Sequence, residues 1–410
     1  MAANHIPNDN LTLPADWRAK SPAMIAVGAV LVLLSVFLFS MAAEEGGTLK
    51  AFFHSYLTNY MFCLTICLGA LFFVMVQHLV RAGWSAAIRR IAELYAATIP
   101  LWALLFLPIL AITLVAGSDA LYSWNAGPGK GLSPMVESKL GYLRADYFSI
   151  RTVFYFLIFI GAARLFFNLS RKQDQSGDVN ITVKAQNLSA PFIILYSLAL
   201  NFAAFDWMMS TDPAWFSTIF GVYIFAAGMF SFLATMILTC YLLQRRGRVE
   251  NMVRVEHYHD LAKFQFGFIV FWAYIAFSQF MLYWYGNIPE ETLWFAHRMT
   301  HGWDKVGLLL IALHFAIPFL AFLKRKHRRN PGWLASWAVL LLVMHWVDLT
   351  YLIMPNVGGV TAPLVLAHVA GWLGMVLIFL SLFLWRVGET PVVAIKDPWL
   401  PDSLAYHNLP

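Results

Sequence analysis

The chain has 410 residues, of which 60% are hydrophobic and only 12% are charged, and its mean hydropathy is +0.65. Soluble domains carry about 25% charged residues, so this composition excludes a soluble enzyme, and it also excludes an intrinsically disordered chain. The net charge of +6 indicates loops that face an anionic lipid leaflet rather than a nucleic-acid partner. We therefore expect an all-α polytopic membrane protein.

Ten stretches of the sequence are apolar and long enough to cross a bilayer as helices, which requires about 20 residues each. We number them spans 1 to 10, and they cover residues 24–43, 50–80, 90–117, 147–169, 188–208, 215–244, 264–286, 303–323, 332–354 and 362–386. Spans 2 and 6 are long enough to tilt or to project from the membrane.

Lysine and arginine are distributed unequally between the two sides of the membrane. The segments on the N-terminal side hold 20 of the 28 basic residues, the other side holds 6, and Arg151 and Arg164 fall within spans. Since cytoplasmic loops are enriched in these residues, we expect both termini to face the cytoplasm of a bacterial inner membrane.

Three segments outside the spans have a distinctive composition. The loop 118–144 mixes glycine with aromatic residues, which suits docking against an external partner. Residues 170–187 are predicted to be a polar linker on the N-terminal side. The tail 387–410 is rich in proline and is predicted to be extended, lying along a neighbouring subunit.

The three cysteines and the aromatic residues suggest no cofactor. Cys63, Cys67 and Cys240 all lie in apolar stretches, and the sequence has neither a CxxCH motif nor a cysteine cluster for an iron–sulfur centre. A bis-histidine haem is not expected, because His314, His345 and His368 form no haem-spaced pair on facing helices. We interpret Trp207, Trp215 and Tyr223 as part of an interfacial aromatic belt.

Two parts of the sequence are similar in the same order. Asp206 near the end of span 5 and Asp348 near the end of span 9 are each followed seven residues later by proline. Phe53, Tyr60 and Phe62 in span 2 match Phe216, Tyr223 and Phe225 at the start of span 6. We predict two parallel four-helix units, spans 2–5 and 6–9, within segments 1–48, 49–213, 214–356 and 357–410. The alternative is coincidence among aromatic-rich helices.

Ionisable residues in the spans are candidates for function because each costs several kcal/mol at bilayer depth unless it is paired or hydrated. In the first unit, Asp206 and Arg151 lie at similar depth, and His54 sits at the outer end of a polar stripe formed by Ser55, Asn59, Cys63 and Cys67. A purely structural ion pair between Asp206 and Arg151 is the alternative to a functional one.

The second unit has more polar groups. His345 and Asp348 share one face of span 9, Lys305 begins span 8, and His314 lies deeper in it. Together they suit a proton relay. Gln279 and Tyr283 on span 7, with Arg151 on span 4, are candidates for contact with a quinone headgroup. The alternative for each histidine is a structural hydrogen bond between helices.

Glu93 lies near the start of span 3 on the N-terminal side, just after Arg89 and Arg90. It is either an interfacial carboxylate paired with these arginines or an entry point for protons.

Several runs of the sequence resemble the NrfD/polysulfide-reductase-like membrane subunit family, and most of all the second NrfD-like subunit of alternative complex III. The runs that carry the resemblance are Phe52–Phe62, Leu68–His78, Trp84 to Glu93 and Phe205–Gly221. The similarity covers nearly the whole chain.

The resemblance implies a function. It implies a subunit of a quinol:electron-acceptor oxidoreductase that has no redox centre of its own and contributes a proton path or a contact to quinone or menaquinone. The positions that carry over are His54, Glu93, Asp206 and Asp348. The implied partners are membrane lipids, a paralogous NrfD-like subunit, and peripheral iron–sulfur and multihaem cytochrome c subunits.

Two other functions fit the same pattern. Duplicated bundles with buried charges also occur in secondary transporters, although no matching pair of broken helices is evident in the sequence. The chain could also be a purely structural anchor for peripheral redox subunits.

Overall fold

A computed structural model describes residues 9–43, 46–115, 117–129 and 131–408. This part of the chain is mostly helical and has no strand, and ten of its helices are long and apolar enough to cross a membrane. The predicted class, an all-α polytopic membrane protein, is therefore confirmed.

The ten spans keep their predicted order, with revised ends. They are Ala15–Ala42, Thr48–Leu79, Gly83–Leu114, Ala145–Ser176, Val179–Thr211, Phe220–Gln244, Val255–Gly286, Trp303–Phe322, Pro331–Asn356 and Ala362–Val387. The shorter helices between and after them are Ser123–Ala126, Pro134–Leu143, Pro289–His297, Arg325–Arg328 and Leu400–Ala405.

Spans 2 and 6 form the centre of the bundle and are the most completely buried helices. Span 2 packs against spans 3 and 5, and span 6 packs against spans 7 and 9. The two central helices cross where Gly69 meets Gly228, because a Cβ atom at Gly69 would come within 2.4 Å of the carbonyl oxygen of Gly228. Glycine permits this close approach of two helix backbones.

Spans 1 and 10 pack against each other at the edge of the bundle. Gly28 and Gly374 let their backbones approach, since a Cβ atom at either would lie 2.7 Å from the carbonyl oxygen of the other. Ser21 and Ser381 each donate a hydrogen bond to the other's carbonyl oxygen, at 3.0 and 2.7 Å. Small residues and hydroxyl groups of this kind hold helices together in lipid.

Span 3 is not one continuous helix. It is broken after Ala96 and again near Phe106, and each new segment has a proline at its second position. Proline removes a backbone donor and leaves carbonyl groups unpaired. Two tyrosines of span 2 bind carbonyl groups in this region: Tyr60 donates to Trp102 at 2.8 Å, and Tyr56 donates to Leu105 at 2.7 Å.

The predicted linker at 170–187 is wrong, because nearly all of this segment is helical. Span 4 continues to Ser176 and ends at Gly177, which has a positive φ of 68°. Span 5 begins at Val179, where the side chain of Asp178 accepts a hydrogen bond from the backbone N–H of Asn180 at 2.9 Å. Glycine in the left-handed region ends helices and aspartate begins them, so two residues are enough for the turn.

The C-terminal tail is bound to this chain and is not simply extended. Its helix, Leu400–Ala405, places the Ser403 hydroxyl against the carbonyl oxygen of Trp84 at 2.5 Å and Nε2 of His257 at 3.0 Å. The backbone N–H of Val392 donates to Leu11 near the N-terminus at 2.9 Å. The segments leading to both termini therefore meet on one side of the bundle, which we call the terminal side; the other is the distal side.

The distal loop 118–144 folds back onto the spans. Tyr122 and Trp124 are buried and stack on each other, and the Tyr122 hydroxyl donates to the carbonyl oxygen of Trp207 at 3.0 Å. These two aromatic side chains are therefore not accessible to an external partner. Lys130, one of the basic residues assigned to this side, lies outside the described residues.

We expect Gly69→Ala to lower the free energy of unfolding by about 2 kcal/mol, because the new methyl group forces the two central helices apart. Thermal unfolding of the purified protein in detergent measures the change. Gly161→Ala is the matched control, since a Cβ atom there meets nothing within 4 Å. Equal melting temperatures for the two variants would show that the close contact at Gly69 does not constrain the fold.

Candidate functional site

Two carboxyl groups lie near the distal ends of spans 5 and 9, and both are fully buried. They are Asp206 and Asp348, the acids that the predicted repeat places in equivalent positions. An unpaired charge at membrane depth costs several kcal/mol, so the partners of each carboxyl group decide what it can do.

Asp206 forms an ion pair with Arg151. The guanidinium donates to both carboxylate oxygens, with Nε–Oδ2 at 2.7 Å and Nη2–Oδ1 at 3.0 Å, and the hydroxyl of Tyr155 donates to Oδ2 at 2.8 Å. This two-point geometry is the strongest form of arginine–carboxylate contact. The charge of Asp206 is matched, and the pair holds span 5 against span 4.

Asp348 has no such cation. Its two oxygens accept hydrogen bonds from the hydroxyl of Tyr223 and from Nε1 of Trp272, the latter at 3.1 Å. Both donors are neutral, and within the described ranges no lysine or arginine forms an ion pair with this carboxyl group. Holding a proton removes the cost of burying the charge, so this group is suited to taking up and releasing one.

Two buried histidines lie close to Asp348. His345 is one helical turn away on span 9, and its Nε2 lies 2.9 Å from the hydroxyl of Thr65 on span 2, while its Nδ1 has no partner. The ring of His314 stacks on Phe230, with the ring centroids 4.1 Å apart, and its centroid lies 3.9 Å from that of the tilted Trp272 ring. Neither of its nitrogens has a partner. Buried nitrogens without partners are uncommon and mark sites where a water or ligand binds.

His314 also lies in an irregular part of span 8. Residues Leu310–Ala316 form a π-helix within the span. Such segments are rare and occur often at functional sites. Trp272 contacts both His314 and Asp348, so spans 7, 8 and 9 bring one acid and two bases together. We call Asp348, His345 and His314, with Tyr223, Trp272 and Thr65, the Asp348 cluster.

The other predicted candidates in the second unit lie outside this cluster. The side chain of Lys305 is exposed on the surface of the bundle. Gln279 accepts a hydrogen bond from the hydroxyl of Ser217 at 3.0 Å, and the hydroxyl of Tyr283 donates to the carbonyl oxygen of Phe216. The structure thus joins Gln279 and Tyr283 to the segment before span 6.

Glu93 and His54 are also placed away from Asp348. Glu93 is buried on the terminal side, where it accepts a hydrogen bond from Nε of Arg90 at 2.9 Å and lies 3.8 Å from Nε of Arg89. Arg89 pairs in turn with Asp397 of the tail. His54 is buried, and its Nδ1 lies 2.8 Å from the carbonyl oxygen of Lys50 on the same helix.

The polar stripe of span 2 joins three helices. The ring of His368 on span 10 lies between the hydroxyl groups of Ser55, at 2.7 Å, and Thr350, at 2.9 Å. Asn59 accepts a hydrogen bond from Nε1 of Trp346 at 2.8 Å. Both nitrogens of His368 are thus engaged in hydrogen bonds between helices, which is the structural alternative considered for the histidines.

Tyr223, Trp272 and Thr65 were not predicted to be functional from the sequence. The interpretation of Trp207, Trp215 and Tyr223 as an interfacial belt is wrong, because at most 4% of each side chain is exposed. Tyrosine and tryptophan occur both at the membrane interface and as buried hydrogen-bond donors, so their presence in a span does not show which role they have. The sequence feature that could have identified Tyr223 is its match to Tyr60, since Tyr60 also donates a hydrogen bond between helices.

A buried arginine closes the distal end of span 9. Arg298 donates to the carbonyl oxygens of Tyr351, Leu352 and Trp294 at 3.0, 2.6 and 2.9 Å, where the end of the helix leaves such groups unpaired. Burial lowers the pKa of Arg298 to about 9, against the effect of the nearby Asp212 carboxylate. Burial likewise raises the pKa of Asp212, against the effect of Arg298.

Comparisons with known proteins add nothing to this geometry. No family model matches the sequence, and no curated protein shows significant similarity to it. Within the described ranges, no group of three or more histidine, cysteine, aspartate or glutamate side chains could hold a metal ion.

We expect Arg151→Gln to lower the free energy of unfolding by about 3 kcal/mol, because it leaves the Asp206 carboxylate buried without its cation. The double variant Arg151→Gln/Asp206→Asn removes both charges and should recover most of the loss. Thermal unfolding in detergent measures both.

Arg144→Gln is the control, because the Arg144–Asp146 pair is exposed and exposed pairs contribute little. A double variant no more stable than Arg151→Gln would contradict the assignment of the stability loss to an unpaired carboxylate.

Proposed function

We propose that this chain is an integral membrane subunit of a quinol:electron-acceptor oxidoreductase, and that Asp348 takes up and releases a proton during turnover. The observation that carries the proposal is the contrast between the two buried acids. Asp206 is neutralised by Arg151, whereas Asp348 meets only the neutral donors Tyr223 and Trp272.

The surroundings of Asp348 favour proton transfer over a structural role. A structural carboxylate at membrane depth is expected to have a cation, as Asp206 does. Asp348 instead lies one helical turn from His345, and through Trp272 it is linked to His314, so that imidazole bases are close by. Nδ1 of His345 and both ring nitrogens of His314 have no hydrogen-bond partner, so they are open to proton exchange.

The hydrogen bonds from this cluster do not form a continuous path through the membrane. His345 reaches Thr65, whose hydroxyl donates to the carbonyl oxygen of Met61, and no further side chain in the described part of the chain extends this route. A proton that leaves the Asp348 cluster toward the terminal side needs water molecules as carriers. The proposed role is therefore local uptake and release, with the distal side nearer to Asp348.

The quinol part of the proposal rests on the resemblance of the sequence to alternative complex III subunits. A quinol that gives up electrons also gives up protons, and it needs a base near its hydroxyl groups. Gln279 and Tyr283 are already hydrogen-bonded to residues 216–217. A quinone headgroup at this position would displace these contacts.

The partners and the orientation are part of the same proposal. The electron acceptors would be iron–sulfur and multihaem cytochrome c subunits outside the membrane, with a paralogous NrfD-like subunit beside this chain. The excess of lysine and arginine on the terminal side favours a cytoplasmic location for both termini in a bacterial inner membrane.

We expect Asp348→Asn to slow quinol oxidation by about 100-fold, because asparagine keeps the shape of the side chain but cannot carry the proton. Steady-state quinol oxidation by the purified complex, together with proton release from proteoliposomes, measures the effect. Asp348→Glu should retain a substantial part of the activity.

Asp119→Asn is the matched control, because it makes the same change at an exposed position of the distal loop. Melting temperatures of all variants separate a functional loss from misfolding. Full turnover and proton coupling in a folded Asp348→Asn variant would rule out the role of this carboxyl group.

We also expect this chain, tagged and extracted in mild detergent from its native membrane, to purify together with haem-containing subunits. The absorbance of c-type haem in the purified fraction, and identification of the accompanying chains by mass spectrometry, measure this. A chain that purifies alone as a monodisperse species would overturn the assignment to a redox complex.

A further inference from the structure

An aromatic groove opens on the lipid-facing surface between spans 2, 6 and 7. It has a volume of about 660 Å³, and apart from Lys263, Asp260 and Tyr406 at one end its lining is apolar: Phe72, Trp84, Phe225, Phe264, Gly267, Phe268 and Phe271. Along span 7 the lining extends from Asp260 to Phe271, which corresponds to roughly 16 Å at 1.5 Å per residue. This is about half the thickness of a bilayer's hydrocarbon core.

A second pocket adjoins the polar end of the groove on the terminal side. It has a volume of about 520 Å³ and shares Lys263 and Tyr406 with the groove. The rest of its lining comes from span 7, from the short helix Arg325–Arg328 and from the tail, and consists of His259, Arg325, Arg328, His407 and Asn408. None of the described residues that line this basic pocket has a carboxylate side chain.

The basic pocket contains polar groups that the protein itself does not satisfy. His259 is 5% exposed, yet neither of its ring nitrogens has a hydrogen-bond partner. Nε of Arg328 is also buried without a partner. A buried donor without a partner costs about 1–3 kcal/mol, so these two side chains point to a ligand that accepts hydrogen bonds.

Two carboxylates near the pocket are already paired: Asp260 with Lys263, and Glu256 with Arg329 and Asn408. Asp260 lines the groove, not the basic pocket, and its Oδ1 lies 2.5 Å from Nζ of Lys263. Lys263 also donates to the side chain of Asn408 at 2.6 Å. Arg328 forms no ion pair with a described carboxylate, so it gives the pocket a positive charge, and Lys263 joins the pocket to the groove.

We infer that the groove and the basic pocket together bind one anionic phospholipid of the leaflet on the terminal side. Its phosphate group lies in the basic pocket and accepts hydrogen bonds from His259 and Arg328, and one acyl chain lies along the phenylalanines of span 7. Basic pockets at the ends of spans are known to take such headgroups. A neutral quinone would fit the groove but would bring no anionic acceptor to the unpartnered nitrogens of His259 and Arg328.

The test uses the full chain with whatever subunits accompany it, delipidated in detergent. Native mass spectrometry then measures binding of dioleoyl phosphatidylglycerol and of dioleoyl phosphatidylcholine. We expect the anionic lipid to bind more tightly, and we expect Arg328→Gln and His259→Phe each to weaken its binding by about fivefold. Arg245→Gln, which removes an exposed arginine on the same side, should leave binding unchanged.

A second variant tests the acyl chain without changing any charge. Gly267 lines the groove, and a side chain added there meets nothing within 4 Å, so Gly267→Leu should fill the groove without disturbing the fold and weaken lipid binding. Gly161→Leu is the matched control on span 4, where the surroundings are equally open.

Three outcomes would overturn the inference. The first is equal binding of the two lipids, and the second is an equal effect of Arg328→Gln and Arg245→Gln. The third is complete displacement of the lipid by millimolar inorganic phosphate, which would reassign the pocket to a soluble anion. The melting temperature of each variant confirms that the comparison is made between folded proteins.

Discussion

The constraint on which this structure depends is that a charge at membrane depth must find its counterpart within the protein. Lipid offers neither water nor ions, so each buried ionisable group is either paired or chemically active. Asp206 and Arg151 show the first solution, with a two-point contact that ties span 5 to span 4. For Asp348 we propose the second, because its partners are a phenol and an indole. The two acids that the predicted repeat aligns thus differ in their partners.

The close packing of the central helices makes this division possible. Because Gly69 and Gly228 let spans 2 and 6 touch, side chains of span 2 can reach span 9, as Thr65 does when it meets His345. The hydrogen bonds of Ser55 and Asn59 fasten the same helix to spans 9 and 10. Span 2 therefore contributes to both units: it belongs to the first predicted unit, and its Thr65 is also part of the Asp348 cluster in the second.

Composition and spacing were enough to predict the ten spans, since each needs only a run of apolar residues. They also placed Asp206 near Arg151, because opposite charges at one depth have few other partners. They also grouped Asp348 with His345 and His314, but they could not identify its hydrogen-bond donors, since Tyr223 and Trp272 come from helices far apart in sequence. The tail was misjudged for a similar reason: its prolines suggested an extended chain, whereas Ser403 and Asp397 bind groups more than 140 residues away.

The way the tail is anchored has a consequence for how the protein is made. Asp397 meets Arg89 across a separation of 308 residues, and Ser403 contacts both Trp84 and His257. Asp397 and Ser403 follow all ten spans in the sequence, so these contacts can form only after every span has been synthesised. The tail then joins the beginning of span 3 to the beginning of span 7, and its docking is a late step of folding that follows the arrangement of these two helices.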